Sequence, residues 1–240
     1  MEFQGLGCRK VQAAFDGGHV SSDGGVLLLR EVDSRFNLCA RFARCFTDYR
    51  DQRFVEHSIE SLARQRTLGL CLGYEDLNDH DLVSLDPLFA TACGKEDPEG
   101  KKRSNRHARE KGQALAGHST LDRIELTPQE VDLNDPQRRY YRIVHHPDQI
   151  EQFFLDVFLE NFKESPSEIL LDFDPTDILL HGDQEGRFFH GYYGNYCYLP
   201  MYVFCGDQFV AVRLRTANRD ASDGAVELFD YIVHAIRARF

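Results

Sequence analysis

The chain has 240 residues, of which 42% are hydrophobic, 28% are charged and 12% are aromatic. This composition is sufficient for a packed core and excludes a mainly disordered or fibrous chain, and no apolar run approaches the roughly 18–20 residues that a membrane-spanning helix requires. A compact protein that binds nucleic acid is usually basic, so the formal net charge of −11 counts against DNA binding.

The first part of the chain predicts a mainly helical region. After an extended arm or short strand over residues 1–20, apolar residues recur at helical spacing and predict helices over 26–36, 53–72 and 79–92. Pro87 predicts a kink or a break within the third of these helices. The apolar face of the first helix consists of Leu28, Leu29, Val32 and Phe36.

The next segment combines loops with two helices. Residues 94–118 are polar and basic and predict an exposed loop, and a short helix opens at Ser119. The proline-containing residues 127–148 predict mostly connecting chain. Residues 148–162 then predict an amphipathic helix, which Pro166 ends.

From about residue 165 the hydrophobic pattern changes from helical to strand period. Strands are predicted over 169–174, 198–205 and 208–215, with Gly206 and Asp207 forming a hairpin turn between the last two. A final helix is predicted with Ser222 as its N-cap. Its buried stripe is Val226, Phe229, Ile232, Val233 and Ile236. The pattern divides the chain into residues 1–165, mainly helical, and residues 166–240, strand–strand–strand–helix.

The strand over 169–174 is apolar and ends in acids. Asp172 and Asp174 point to the same face because side chains alternate along a strand, and Asp177 follows beyond Pro175. Metal-dependent phosphoryl transfer uses carboxylates that hold divalent ions at such a strand end. Spacing does not choose among the three acids, and an ordinary capped turn at Asp-Pro is the alternative interpretation.

The segments around this strand resemble bacterial insertion-sequence transposases of the DDE superfamily. The resemblance is closest to the group with the signature H-G-x-Q-E-G-x-F-F-H-G-Y-Y, which here reads HGDQEGRFFHGYY over 181–193. Further matching segments are 15–18, 21–30, 116–123, 171–177 and 196–206. The resemblance therefore spans nearly the whole chain.

The resemblance implies an α+β chain, in which a mainly helical DNA-binding region precedes the first half of an RNase H-like domain. It implies that Asp174 is the first catalytic acid and a ligand of Mg²⁺ or Mn²⁺, with Asp172 as the alternate metal ligand. The implied partners are double-stranded DNA at transposon ends and target sites, with a homodimer in the DNA complex as a candidate assembly and no membrane partner.

The family's second Asp and its Glu have no counterpart before Phe240. We therefore expect a truncated transposase that is inactive alone. The alternative is a non-catalytic remnant that binds DNA and occupies transposon ends.

Two basic regions are candidates for DNA contact. One is the loop over 101–109, with Lys101, Lys102, Arg103 and Arg106, and the other is the arginine-rich segment 41–66, with Arg53 and Arg64. A solvated loop is the alternative interpretation for the first region.

Three further patterns carry weaker hypotheses. A zinc site would need His181, His190, Cys197 and Cys205, but their spacing does not resemble paired zinc loops. The dense aromatic residues over 188–198 either stack on bases or pack on the core, and packing is the favoured interpretation. The odd number of cysteines without C-x-x-C pairs, and the absence of a signal-peptide pattern, predict reduced thiols in a soluble cytoplasmic protein.

Overall fold

The computed structural model describes residues 1–14, 22–101, 113–135 and 140–240. The chain forms two compact units, Met1–His146 and Pro147–Phe240. The expected boundary near 165 falls one helix later than this division, because the helix that precedes it packs with the strands of the second unit.

Among its described residues, the first unit contains six α-helices, two 3₁₀ helices (Gln52–Phe54 and Leu77–Asp79) and two short antiparallel sheets. Its elements are β1 (Glu2–Leu6), β2 (Arg9–Gln12), α1 (Val26–Phe36), α2 (Leu38–Ala43), β3 (Phe46–Asp48), α3 (Ile59–Cys71), α4 (His80–Val83), α5 (Pro87–Ala92), α6 (His118–Glu125) and β4 (Ile143–His145). Strands β1 and β2 form one hairpin, so the expected extended arm is a hairpin over its described residues.

The second sheet of this unit is β3 paired with β4. Residues 127–148, predicted as connecting chain, therefore contain a strand in which Ile143 is fully buried. The expected loop over 94–118 is also only partly exposed in its described residues, because Ala114, Leu115 and Ala116 are buried in the core. Pro87 is the first residue of α5, and the predicted break at this proline is confirmed.

Helix α1 has the predicted bounds but not the predicted buried face. Val26 and Leu27 are buried, whereas Leu28, Val32 and Phe36 are 60%, 48% and 54% exposed. The inward side of the helix instead carries two charged residues, which find partners elsewhere in the unit. Arg30 Nη1 donates to the Gln4 carbonyl at 2.7 Å, and Asp33 pairs with Arg64.

A buried polar contact joins α3 to α4 and to the segment before α6. Gln65 and His80 are both fully buried, and Gln65 Nε2 lies 3.3 Å from His80 Nδ1. Gln65 also donates to the Ala116 carbonyl at 2.7 Å and accepts from the Ala116 amide at 2.9 Å. Gly69 gives the His80 ring its space, since a Cβ at Gly69 would lie 2.6 Å from His80 Cε1.

The buried imidazole predicts a stability that falls in acid. Burial and then the nearby Arg66 lower the pKa of His80, against the opposing effect of Asp79 and Asp81. The unfolded chain therefore binds this proton at a higher pH than the folded chain. The contribution of His80 to stability is complete above about pH 6.5 and is lost as the pH falls below that value.

Urea unfolding at pH 7.5, 6.5 and 5.5 measures this effect. We expect the unfolding free energy to decrease more steeply between pH 6.5 and 5.5 in the wild-type chain than in a His80→Gln variant. Parallel pH profiles for the two proteins would contradict a buried neutral His80.

The second unit places two helices against an antiparallel sheet. Its elements are α7 (Pro147–Leu159), β5 (Asp172–Pro175), β6 (Ile178–Leu179), β7 (Phe188–His190), β8 (Asn195–Tyr198), β9 (Met201–Cys205), β10 (Gln208–Arg213) and α8 (Ala225–Arg239). The order β10-β9-β5 makes β9 the central strand. Leu155 and Phe158 of α7, Met201 and Val203 of β9, and Ile232 of α8 lie in one core cluster.

The predicted hairpin between the last two strands is confirmed, and Gly206 has the positive φ of 58° that its turn requires. The predicted cap of α8 is wrong. Ser222 donates through Oγ to Asp220 at 2.6 Å, and the helix instead follows Gly224, whose φ is 77°. On this helix Leu228 and Ile232 are fully buried, whereas Val226 and Phe229 are exposed.

Between β5 and β9 the chain forms a separate three-stranded sheet with the order β6-β8-β7. These strands were not predicted. No described helix is long and apolar enough to cross a membrane. All cysteines of the chain are free thiols, as expected.

Candidate functional site

Asp174 lies on a strand and faces away from the core of its unit. In the register of β5 on β9, Phe173 pairs with Val203, while Asp174 pairs with Tyr202 and Asp172 pairs with Phe204. Phe173 packs against the core cluster that contains the fully buried Val203. Because alternate residues point to opposite faces, the two acids share the outer face of the sheet, and both are exposed.

The two carboxylates suit a hard divalent cation. Among the described residues, no side-chain hydrogen bond or ion pair engages the carboxylate of Asp172 or Asp174, in contrast to most acids of the first unit. Carboxylate oxygens on an ordered strand are ligands that Mg²⁺ and Mn²⁺ accept. The described residues contain no group of three or more His, Cys, Asp or Glu that could hold a metal ion, so the strand supplies part of a ligand set.

Asp177 and the turn between β7 and β8 lie close to this strand end. Asn195 Nδ2 donates to Asp177 Oδ2 at 3.3 Å. Burial, followed by the charges of Asp177, Tyr192 and Asp174, raises the pKa of Tyr193. The added sheet β6-β8-β7 therefore brings a phenol and an amide to the acids. The sequence reasoning missed this contact, because the pairing partners lie on a loop that the hydrophobic pattern left unassigned.

Arg64, predicted to contact DNA, lies in an ion-pair network inside the first unit. Its guanidinium donates to Asp33 Oδ2 at 2.8 Å and to Glu60 Oε1 at 2.8 Å. Asp33 also accepts from the Cys39 amide at 2.8 Å. Burial alone would raise the pKa of Asp33, but the hydrogen bonds from Cys39 and Arg64 hold it below its ordinary value.

Three other arginines of the segment 41–66, namely Arg50, Arg53 and Arg66, also have intramolecular partners. Arg50 binds both Asp48 oxygens and the His57 carbonyl. Arg66 binds Glu125 and the carbonyls of residues 74 and 75. Arg53 is accessible: its side chain is 81% exposed, although its Nη2 lies 2.6 Å from Asp51 Oδ2. Much of this basic segment therefore stabilises the fold.

The basic loop is described only at its start. Lys101 is highly exposed and pairs with Glu99. The remaining predicted DNA-binding residues of this loop lie outside the described residues; they are Lys102, Arg103 and Arg106. The hypothetical zinc set gains no support, because Cys197 lies fully buried in an apolar cluster with Leu199 and Ala217.

An antiparallel three-stranded sheet, with acids on its first strand and a helix after the third, gives an α+β unit that is consistent with the RNase H-like class. A family model described as "Transposase DDE domain group 1" matches residues 3–240. The chain belongs to this family of DDE transposases, which confirms the resemblance at the level of DDE transposases. Comparisons with curated proteins and with solved structures return no match.

Proposed function

We propose that Asp174 is the first catalytic carboxylate of a DDE transposase that cuts DNA at transposon ends and joins the freed 3′ hydroxyl to target DNA. The observation that supports this role is the position of Asp174: an exposed carboxylate, on an ordered strand, in a chain that matches a DDE family model over residues 3–240. Asp172 is the alternate ligand, because it lies on the same face two residues earlier.

No cation of a described residue pairs with these carboxylates, so their charge is available for a metal ion and for the DNA backbone that the metal would face. When bound, two Mg²⁺ or Mn²⁺ ions would supply Lewis-acid stabilisation to the attacking and leaving oxygens. Asn195 and Asp177 position the chain directly after β5 through their hydrogen bond. This contact would keep the strand end in place when a metal ion binds to the acids or leaves them.

We infer that these 240 residues do not cleave DNA by themselves, because a metal pair needs more carboxylates than the two on β5. A cleavage assay on terminal inverted-repeat DNA with Mg²⁺ tests this inference. We expect no cleavage, together with DNA binding that needs no metal and weakens with salt. Robust cleavage that Asp174→Ala abolishes would show that the ligand set is complete, and the absence of any DNA binding would contradict the transposase role.

We propose the loop that begins at Lys101, together with Arg53, as the DNA-contacting surface, and cytoplasmic double-stranded DNA as its partner. Arg64 contributes to the fold of this region through Asp33 rather than through a free guanidinium. A homodimer in the DNA complex belongs to the same proposal. Size measurement of the DNA complex by light scattering would distinguish one chain from two.

If this loop contacts DNA, substitutions in it should change the salt dependence of the DNA affinity. An Arg103→Gln/Arg106→Gln variant is expected to bind DNA more weakly. The negative slope of log affinity against log salt should become shallower by roughly 0.9 for each phosphate contact that is lost. The matched control is Arg9→Gln/Lys10→Gln on the β1-β2 hairpin, which removes the same charge from exposed positions. Equal effects of the two variants would mean that only the net charge matters.

A further inference from the structure

The sheet β6-β8-β7 has one face that carries aromatic rings and is open to solvent. Directly paired residues point to the same face of an antiparallel sheet, so Phe189 and Tyr196 share a face, as do Ile178 and Tyr198. Phe189 is 56% exposed, Tyr196 is 48% exposed and Ile178 is 40% exposed. We call Ile178, Phe189, Tyr196 and Tyr198 the aromatic face.

These rings do not pack in the core clusters of the unit. The opposite face of the sheet supplies the buried residue Cys197, which packs with Leu199 and Ala217. Phe189 and Tyr196 contact each other edge to face at 5.6 Å between ring centroids. The expectation that the aromatic residues over 188–198 pack on the core is therefore wrong for the aromatic face.

A guanidinium completes this surface. Arg187 lies over the Tyr196 ring, with 4.8 Å between its Cζ and the ring centroid. Its charge is shared with Asp183 and with the Gly182 carbonyl. A partly neutralised guanidinium beside two exposed rings is better suited to the flat faces of bases than to phosphate groups.

The sheet that carries the aromatic face follows the acidic strand directly, since β6 begins four residues after Asp174. Tyr193, in the turn between β7 and β8, is close to Asp177 and Asp174: burial, and after it the charges of these acids, raise its pKa. Tyr192 on this turn is 87% exposed. A DNA strand whose backbone reached Asp174 would therefore have its neighbouring bases next to exposed rings of the same unit.

We propose that the aromatic face stacks on unpaired bases of single-stranded DNA next to the scissile position. The inference rests on the proposed transposase function for its substrate class, but the stacking itself requires neither metal nor cleavage. Bases in a duplex already stack on one another, so this surface should prefer single-stranded to double-stranded DNA.

The test uses a fluorescent reporter that the chain permits. The sequence contains no Trp, so Phe189→Trp introduces a single indole on the aromatic face. We expect its emission to be quenched when a thymidine-rich single strand is added without metal, and much less by a duplex of the same length. Phe229→Trp is the matched control, because Phe229 is 46% exposed on α8 and its ring contacts Phe173 of β5 rather than the aromatic face; its emission should not change.

Affinity measured by fluorescence anisotropy with a labelled single strand gives a second readout. A Phe189→Ala/Tyr196→Ala variant should bind about tenfold more weakly, whereas Tyr196→Phe, which keeps the ring, should bind as the wild type does. Thermal unfolding of each variant identifies loss of fold.

Three results would overturn the inference: no binding of the single strand, binding without quenching at position 189, or self-association of the wild type that Phe189→Ala abolishes. Asp174→Asn should leave the quenching intact. Quenching without any metal binding at Asp174 would therefore refute the proposed function alone. Metal binding at Asp174 without quenching would refute the stacking surface alone.

Discussion

Replacing Asp33 with alanine is expected to lower the free energy of unfolding by about 3–5 kcal/mol, as is typical when one partner of a buried ion pair is removed. The Asp33 side chain is 9% exposed and that of Arg64 is 20% exposed. The substitution leaves Glu60 to pair with the Arg64 guanidinium and removes the acceptor of the Cys39 amide.

Urea denaturation at pH 7 measures this loss. The matched control is Asp51→Ala, which breaks an exposed pair with Arg53 and should change stability little, because exposed ion pairs contribute little. If both variants were equally stable, the ion pairs of Arg64 would not stabilise the fold. Arg64 would then again be a candidate for DNA contact.

The second large effect is expected at the acidic strand. Asp174→Asn keeps the shape of the side chain but removes its charge, so we expect the affinity for Mn²⁺ to fall by about tenfold or more, since each 1.4 kcal/mol of lost interaction is a factor of ten. Water-proton relaxation in a Mn²⁺ titration measures this affinity.

Two matched variants sharpen this experiment. Asp172→Asn should weaken the binding less than Asp174→Asn if Asp174 is the main ligand, and the opposite order would transfer the role to Asp172. Asp207→Asn changes an acid in the β9-β10 turn by the same charge and should leave the affinity unchanged. A loss of affinity that is equal in all three variants would indicate a general effect of charge.

Periodicity predicted the long elements of the fold well. Helices α1 and α7, the strand that carries Asp174, and the β9-β10 hairpin all appear near their predicted positions. The alternation along β5 also placed Asp172 and Asp174 on one face, as the register on β9 shows. These features depend on residues that are neighbours in sequence.

The features that were missed depend on distant partners. Strands β3 and β4 have three residues each and pair across a long stretch of chain, so neither carries a recognisable period. The buried side of α1 contains Arg30 and Asp33, and only their contacts with Gln4 and Arg64 make that side suitable for burial. A hydrophobic pattern therefore assigns the wrong face to this helix.

In the candidate site, too, some features depend on neighbours in sequence and others depend on distant partners. The sequence predicted the strand that carries the acids. The exposure of Phe189 and Tyr196 depends on the pairing of β7 with β8, which only the structure shows. For the basic residues, the sequence suggested a functional role that the structure does not support. A cluster of arginines in sequence suggested DNA contact, but Asp33, Asp48 and Glu125 engage three of them within the fold.

The central claim is that the Asp174 carboxylate holds a divalent metal ion at the exposed end of β5. Paramagnetic broadening of backbone amide signals by Mn²⁺ locates a bound ion directly in the intact chain. The account predicts that broadening centres on residues 173–176 and on the paired residues 201–204 of β9, and that it disappears in Asp174→Asn. Broadening centred on Asp183 and Glu185, or unchanged in Asp174→Asn, would contradict it.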